Sequence, residues 1–334
     1  ADYSYDAFYE ELTSKVNEKL KNTKWGWQYA LLGCCLFAAW SGSFAYTFLS
    51  TSNFYMRLFS SLVSGTTLMQ WLLVIYHDAT HNAISKSVKV NELISQIGSG
   101  IALWDWETWV KHHSVLHHSF TGDYKLDPDM RHSHPFFRKS TDSKAHSVTK
   151  YSHFIFILSF FPGMGLGQVI SYFKTQYTNR LWGFSIVKNK SWLEMIIVAA
   201  QFYCMYVGGS FLLVASYFLA YNINYSMSIL PDHDTHETHL NVPKTNNWGE
   251  IQVRNSGNFA NNNILFTRMY GCINYQIEHH LFPSLCSWHL PEISPIVQET
   301  CHKYNIKYVS IPSVYDAYHS AIYNYWNMNK DKHS

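Results

Sequence analysis

Two long apolar runs, 25–49 and 54–76, are separated by only four residues, Ser50 to Asn53. Each has about the twenty residues that carry a helix across a bilayer core of about 30 Å. So short a link between them permits only an antiparallel helical hairpin. Lys15, Lys19, Lys21 and Lys24 precede the hairpin and Lys86, Lys89 and Lys111 follow it, whereas the link has no lysine or arginine. Both open ends of the hairpin are therefore expected on the cytoplasmic side.

The remaining apolar stretches are read against that pair. Trp192 to about Tyr225 has Gly208 and Gly209 near its middle and reads as two short spans, about 192–207 and 210–225. Residues 152–173 are apolar but broken by Pro162, Gly163, Gly165 and Gly167, and are expected to be interfacial or re-entrant. A crossing there, with 192–225 as one hairpin, would put the last histidine cluster on the wrong face. The expected fold is an all-α integral membrane protein with four transmembrane helices, both termini cytoplasmic, and 230–334 as a cytoplasmic helical cap and tail. In that cap, helices near 290–303 and 313–327 flank a β-like IKYVSIP. Only 14% of residues are charged against 47% hydrophobic, as a membrane protein requires, and the net charge of +2 gives no reason to expect nucleic acid. Histidine clusters spread over some two hundred residues must converge, so a single domain over 1–334 is expected.

In residues 1–24, Phe8, Leu12, Val16 and Leu20 recur every fourth position. Such a stripe suits a helix lying on a membrane surface or one packed in a core. No signal-peptide pattern is visible. The six cysteines lack a CxxC pair and read as buried thiols, not a disulfide framework. The final KDKHS resembles the KxKxx dilysine signal that returns membrane proteins to the endoplasmic reticulum.

Chemistry is concentrated in histidine. His77 and His81 lie in HDATH, and His112, His113, His117 and His118 in HHSVLHH. His233, His236 and His239 lie in DHDTHETH, and His279 and His280 in QIEHH, with Gln276 one turn earlier. A four-residue offset puts His77 with His81, and His113 with His117, on one helix face. The clusters hold more nitrogen ligands than one tetrahedral ion uses, so two metals are the economical reading. HETH lacks the spacing of a zinc-protease HExxH. A non-enzymatic protein that binds haem or carries metal is disfavoured, because the histidines sit at span ends and in polar loops. Trp104, Trp106 and Trp109 suit a membrane interface.

HDATH, HHSVLHH and QIEHH, in this order among the spans, resemble the three histidine boxes of the membrane fatty acid desaturase family, a likeness covering about residues 25–290. Gln276 opening the third box, the LFPSL after it and WGEIQVRNSGNF before it (Trp248 to Phe259) resemble the front-end branch, whose enzymes insert a double bond between an existing one and the carboxyl end. Sphingolipid and bacterial acyl-lipid enzymes share that glutamine. The resemblance implies two irons, O2 as co-substrate and an acyl-CoA or lipid-bound acyl substrate in the membrane. It assigns His77, His81, His113, His117, His118, His279 and His280 to metal, with a further histidine at the end of the fourth span. His233 is the choice for that position and His236 the reserve. The second box is one residue longer than the commoner form, which leaves His112 or His113 open, with His113 favoured by its offset from His117. Gln276, Asp78, Asp127, Asp129 and Glu278 are candidates for orienting the imidazoles, and Trp104 and Trp106 for lining an acyl tunnel. No haem-binding HPGG occurs, His134 and Pro135 being followed by phenylalanines. The electron donor is expected to be separate, cytochrome b5 with its reductase or a ferredoxin. A hydroxylase or acetylenase on the same scaffold is the rival reading.

Overall fold

The computed structural model describes residues 6–21, 23, 26–130, 138–140, 142–144, 146–147, 163–181, 184–185, 191–239 and 245–330. His134, Pro135, residues 152–162 and the last four residues of KDKHS lie outside them. In chain order the helices are α1 (Ala7–Leu20), α2 (Trp27–Leu49), α3 (Phe54–Trp71), α4 (His77–Thr80), α5 (Val88–Ala102), α6 (Trp106–Trp109), α7 (His118–Phe120) and α8 (Gly163–Thr178). After them come α9 (Trp192–Gly208), α10 (Phe211–His233), α11 (His236–His239), α12 (Trp248–Arg254) and α13 (Ile264–Met269). The last are α14 (Gln276–Leu281), α15 (Leu290–Lys303) and α16 (Val314–Lys330). The described strands are two-residue pieces. β1 (Arg180–Leu181) pairs antiparallel with β2 (Phe184–Ser185), and β3 (Asn258–Phe259) pairs parallel with β4 (Ser310–Ile311).

The chain forms two compact units, neither contiguous in sequence. The bundle unit comprises Trp27–Ser114 and Ile157–Ser226. In it α2 and α3 pack side by side as the expected hairpin. Tyr29, Gly33, Leu36, Trp40, Phe44 and Phe48 form the buried stripe of α2 at helical spacing. Asn53 caps α3 by accepting the Tyr55 N–H at 2.8 Å. α2 and α3 with its continuation to Thr80 are long and apolar enough to cross a membrane, and α9 is apolar but shorter. α9 stops at Gly209, whose φ of +67° makes the turn into α10. Arg57, at the start of α3, donates to the carbonyls of Thr47 at 2.8 Å and Gly208 at 2.9 Å, so one guanidinium holds the C-terminal ends of α2 and α9 level. α10 lies against α3 at backbone distance. A Cβ on Gly65 would stand 2.2 Å from the Tyr217 carbonyl, and Ser61 Oγ donates to the Leu213 carbonyl at 2.6 Å. The helices also carry exposed apolar residues, among them Phe59, Ile196 and Phe211.

The second unit comprises Ala1–Gly26, Val115–Phe156 and Met227–Ser334. Here α1 is a packed helix, which corrects the membrane-surface option for its stripe. Phe8, Leu12 and Val16 are buried against Ile293, Val297 and Cys301 of α15 in one core, with Leu20 at its margin. An amphipathic stripe looks alike in either setting, and only the apolar face of α15 decides between them. The IKYVSIP stretch supplies β4, with α15 before it and α16 after it.

Two segments near the histidines depart from α geometry. Leu72–Tyr76, just before His77, and Val110–His117, across the second cluster, are π-helical. Their i→i+5 bonding widens the turn, a feature frequent at functional sites, and it replaces the α-helix expected for HHSVLHH.

Candidate metal centre

The bundle unit gathers His77, His81 and His113. The first cluster follows directly on α3 through its π-turn, so His77 begins α4 and His81 ends it. One ring nitrogen from each of the three lies within 4.8 Å of those of the others, and His77 Nε2 is 3.0 Å from His113 Nε2. His113 is held face-on by Trp109, with ring centroids 4.9 Å apart and planes at 14°. The His112 ring is 6.1 Å from that indole, with the planes at 17°. Of the two histidines left open by spacing, His113 is therefore the one brought to His77.

The second unit gathers His117, His233 and His280. Nε2 of His233 lies 3.2 Å from His117 Nε2 and 3.1 Å from His280 Nε2. Two ligands at right angles, each about 2.1 Å from one ion, would be about 3 Å apart. Each ring is turned by a partner on its other nitrogen. His117 Nδ1 donates to Asp127, 3.1 Å from both carboxylate oxygens, with Asp129 at 3.3 Å. His233 Nδ1 donates to the Asn255 carbonyl at 2.8 Å, and His280 Nδ1 to Gln252 Oε1 at 2.9 Å. With every Nδ1 so engaged, the three Nε2 atoms are left grouped together, a donor set that suits a divalent metal ion. His118 and His279 form a neighbouring pair, Nε2 to Nε2 at 3.1 Å.

Charge is uneven over this trio. Burial opposes the protonated form of His117, but the Asp127 and Asp129 carboxylates outweigh it and raise its pKa to about 9. The same carboxylates favour a cation at this ring, and a metal ion bound there would compete with the proton for His117 Nε2.

Residues 52–312 match the family model for fatty acid desaturases. The chain belongs to the fatty acid desaturase family. It is similar over 95% of its length, at 24% identity, to the acyl-lipid (8-3)-desaturase of Physcomitrium patens, of which it covers 70%. It is 23% identical over 86% of its length to the sn-1 linoleoyl-lipid 6-desaturase of a Synechocystis strain, covering 82% of that protein. It is 27% identical over 81% of its length to the Delta(8)-fatty-acid desaturase of Helianthus annuus, covering 62% of it. This desaturase is thus an oxidoreductase whose histidine clusters could hold metal.

The structure also places the remaining sequence candidates of the desaturase. His236 is not among the grouped rings; its imidazole meets Tyr323 edge-on at 5.0 Å and its backbone N–H donates to Ser320. Gln276 reaches the trio directly, its Nε2 2.9 Å from His233 Nε2. Asp78 binds the Tyr29 hydroxyl at 2.8 Å and stands 3.9 Å from His77 Nδ1, too far for a hydrogen bond. Glu278 corrects its expected role. Its carboxyl takes hydrogen bonds from Asn258 Nδ2 and the Tyr308 hydroxyl, both at 2.7 Å, tying α14 to β3 and to the chain before β4. Burial holds that acid's pKa above the ordinary range. Trp104 stacks on Trp109 at 4.4 Å, whereas Trp106 offers its backbone N–H to Glu194 at 3.0 Å.

Two orienting groups escaped the sequence reading although their segment did not. Gln252 and Asn255 both lie in WGEIQVRNSGNF, quoted above without a role. Thr121 joins them, its hydroxyl 2.8 Å from Gln252 Oε1 and 2.7 Å from the His117 carbonyl.

Proposed function

We propose that this chain is a di-iron, O2-dependent membrane acyl desaturase of the front-end type. The observation that carries the reading is the trio of His117, His233 and His280, each turned inward by a partner on Nδ1, in a chain of this family. His77, His81 and His113 form the second ligand set, with His118 and His279 as further ligands. Two bound irons supply the activation of O2. The reaction removes one hydrogen from each of two adjacent methylenes and makes two waters from O2, with two electrons and two protons from outside. The residues of the chain hold the ligand geometry through Asp127, Gln252 and the Asn255 carbonyl. Burial of His117, His118, His279 and His280 keeps bulk water from the rings.

Gln276 and the LFPSL after the third box support the front-end assignment, as do relatives named for positions 5, 6 and 8. α2, α3, α9 and α10 are the four spans, with both termini cytoplasmic and the endoplasmic reticulum as the location. Exposed apolar residues on these helices and the common level set by Arg57 favour that reading. Electrons come from a separate donor of the cytochrome b5 type, and the substrate is an acyl chain on coenzyme A or a lipid.

Yeast expressing the chain with a panel of unsaturated acids should accumulate fatty acids with a new double bond on the carboxyl side of an existing one. Gas chromatography and mass spectrometry of total lipids reads it. A hydroxylated or acetylenic product at that carbon would overturn desaturation, and a bond on the methyl side would overturn the front-end assignment.

A further inference from the structure

Glu194 is the one charged residue of α9 and is 1% exposed. A buried carboxylate on an apolar helix is costly and contributes no more stability than a well-packed apolar side chain. Among its partners within the bundle unit are the Tyr172 side chain on α8, Gln176 and the start of α6. Oε2 accepts the backbone N–H of Trp106, the first residue of α6, at 3.0 Å. Two residues on, the Thr108 N–H donates to Asp105 Oδ1 at 2.9 Å. Gln176 Nε2 bridges the two acids, 2.8 Å from Asp105 Oδ2 and 3.3 Å from Glu194 Oε1. The start of α6 is thus capped twice, once from its own chain and once from α9, where negative charge meets the positive end of a helix.

α9 itself is fixed against α5. A Cβ on Gly100 would lie 3.1 Å from the Glu194 carbonyl, and Gln201 donates to the Gly100 carbonyl at 2.8 Å. α6 then runs without a break into the π-helix that bears His113, and Trp109 at their junction stacks on the His113 ring.

We propose that Glu194 is a positioning residue for the desaturase centre, setting from α9 the height and rotation of the helix that presents His113 to His77 and His81. The inference rests on the metal-ligand reading of those histidines. Amide hydrogen exchange on metal-free full-length protein, read beside iron content after loading, separates the two. In Glu194→Leu, exchange at 106–111 should rise about tenfold, as loss of a charged cap implies, with α2 and α3 unchanged and iron content reduced. Glu194→Gln keeps an acceptor oxygen and should retain both protection and iron. Should Glu194→Leu not fold, Trp106→Pro removes the N–H at a helix position that accepts proline, after an Asp105 already extended at ψ 118°. Trp106→Ala retains the N–H, so only the proline variant should lose iron.

Unchanged exchange at 106–111 in Glu194→Leu would overturn the proposal, as would loss of protection across α2 and α3 together, which marks a merely structural role. Glutamine behaving as leucine, or alanine at 106 behaving as proline, would overturn it too. Raised exchange with full iron content would keep the cap but overturn the positioning role, and full iron content in His113→Ala would instead refute the ligand reading of His113.

Discussion

His233→Ala should reduce desaturation to below detection in protein that still accumulates, whereas His236→Ala should stay within about twofold of wild type, the range of a substitution away from a critical contact. His233 Nε2 lies 3.2 Å from His117 Nε2 and 3.1 Å from His280 Nε2. Alanine there deletes one donor of the trio and strands the Asn255 carbonyl. His236, three residues on, contacts Tyr323 instead. Product formation normalised to protein level in the two variants checks the assignment, and the reverse pattern would exchange their roles.

Asp127→Asn should weaken iron retention about 10- to 100-fold, the usual cost of losing a carboxylate that orients a ligating imidazole. Asp127 accepts from His117 Nδ1 and from the backbone N–H groups of Gly122 at 2.8 Å and Asp129 at 2.9 Å, so nearly all its acceptor capacity is used. An amide lacks the charge and turns an NH2 group toward one of those donors. The weaker contact of Asp129, 3.3 Å away with a side chain 28% exposed, predicts a smaller loss for Asp129→Asn. Competition with a chelator, followed by loss of bound iron, ranks wild type, Asp129→Asn and Asp127→Asn in that order; an Asp127→Asn protein that retains iron like wild type would remove the carboxylate from the account.

What could be read from sequence followed from locality. The hairpin and the histidine clusters were legible because each is written in a few consecutive residues at helical spacing, and Asp127 because it lies ten residues after the ring it orients. The partners of His233 and His280 were not. The Asn255 carbonyl has no residue-type signature, and Gln252 is 28 positions from its imidazole. Glu278 was misread for a geometric reason. Adjacent helical residues point about 100° apart, so the acid beside His279 faces Asn258 and Tyr308 instead of a ring. The π-turns left no trace either, since apolar periodicity over five to eight residues fits either helix type. The stripe of α1 fitted two surfaces, and the choice lay in α15, some 280 residues away.

The most direct test of the whole account is the metal content of the purified full-length protein, measured by mass spectrometry of the elements beside an optical spectrum for haem. Two irons per chain without haem, falling when His117 or His280 is replaced by alanine, is the result predicted. Haem, zinc as the bound metal, or an iron content indifferent to both substitutions would contradict it.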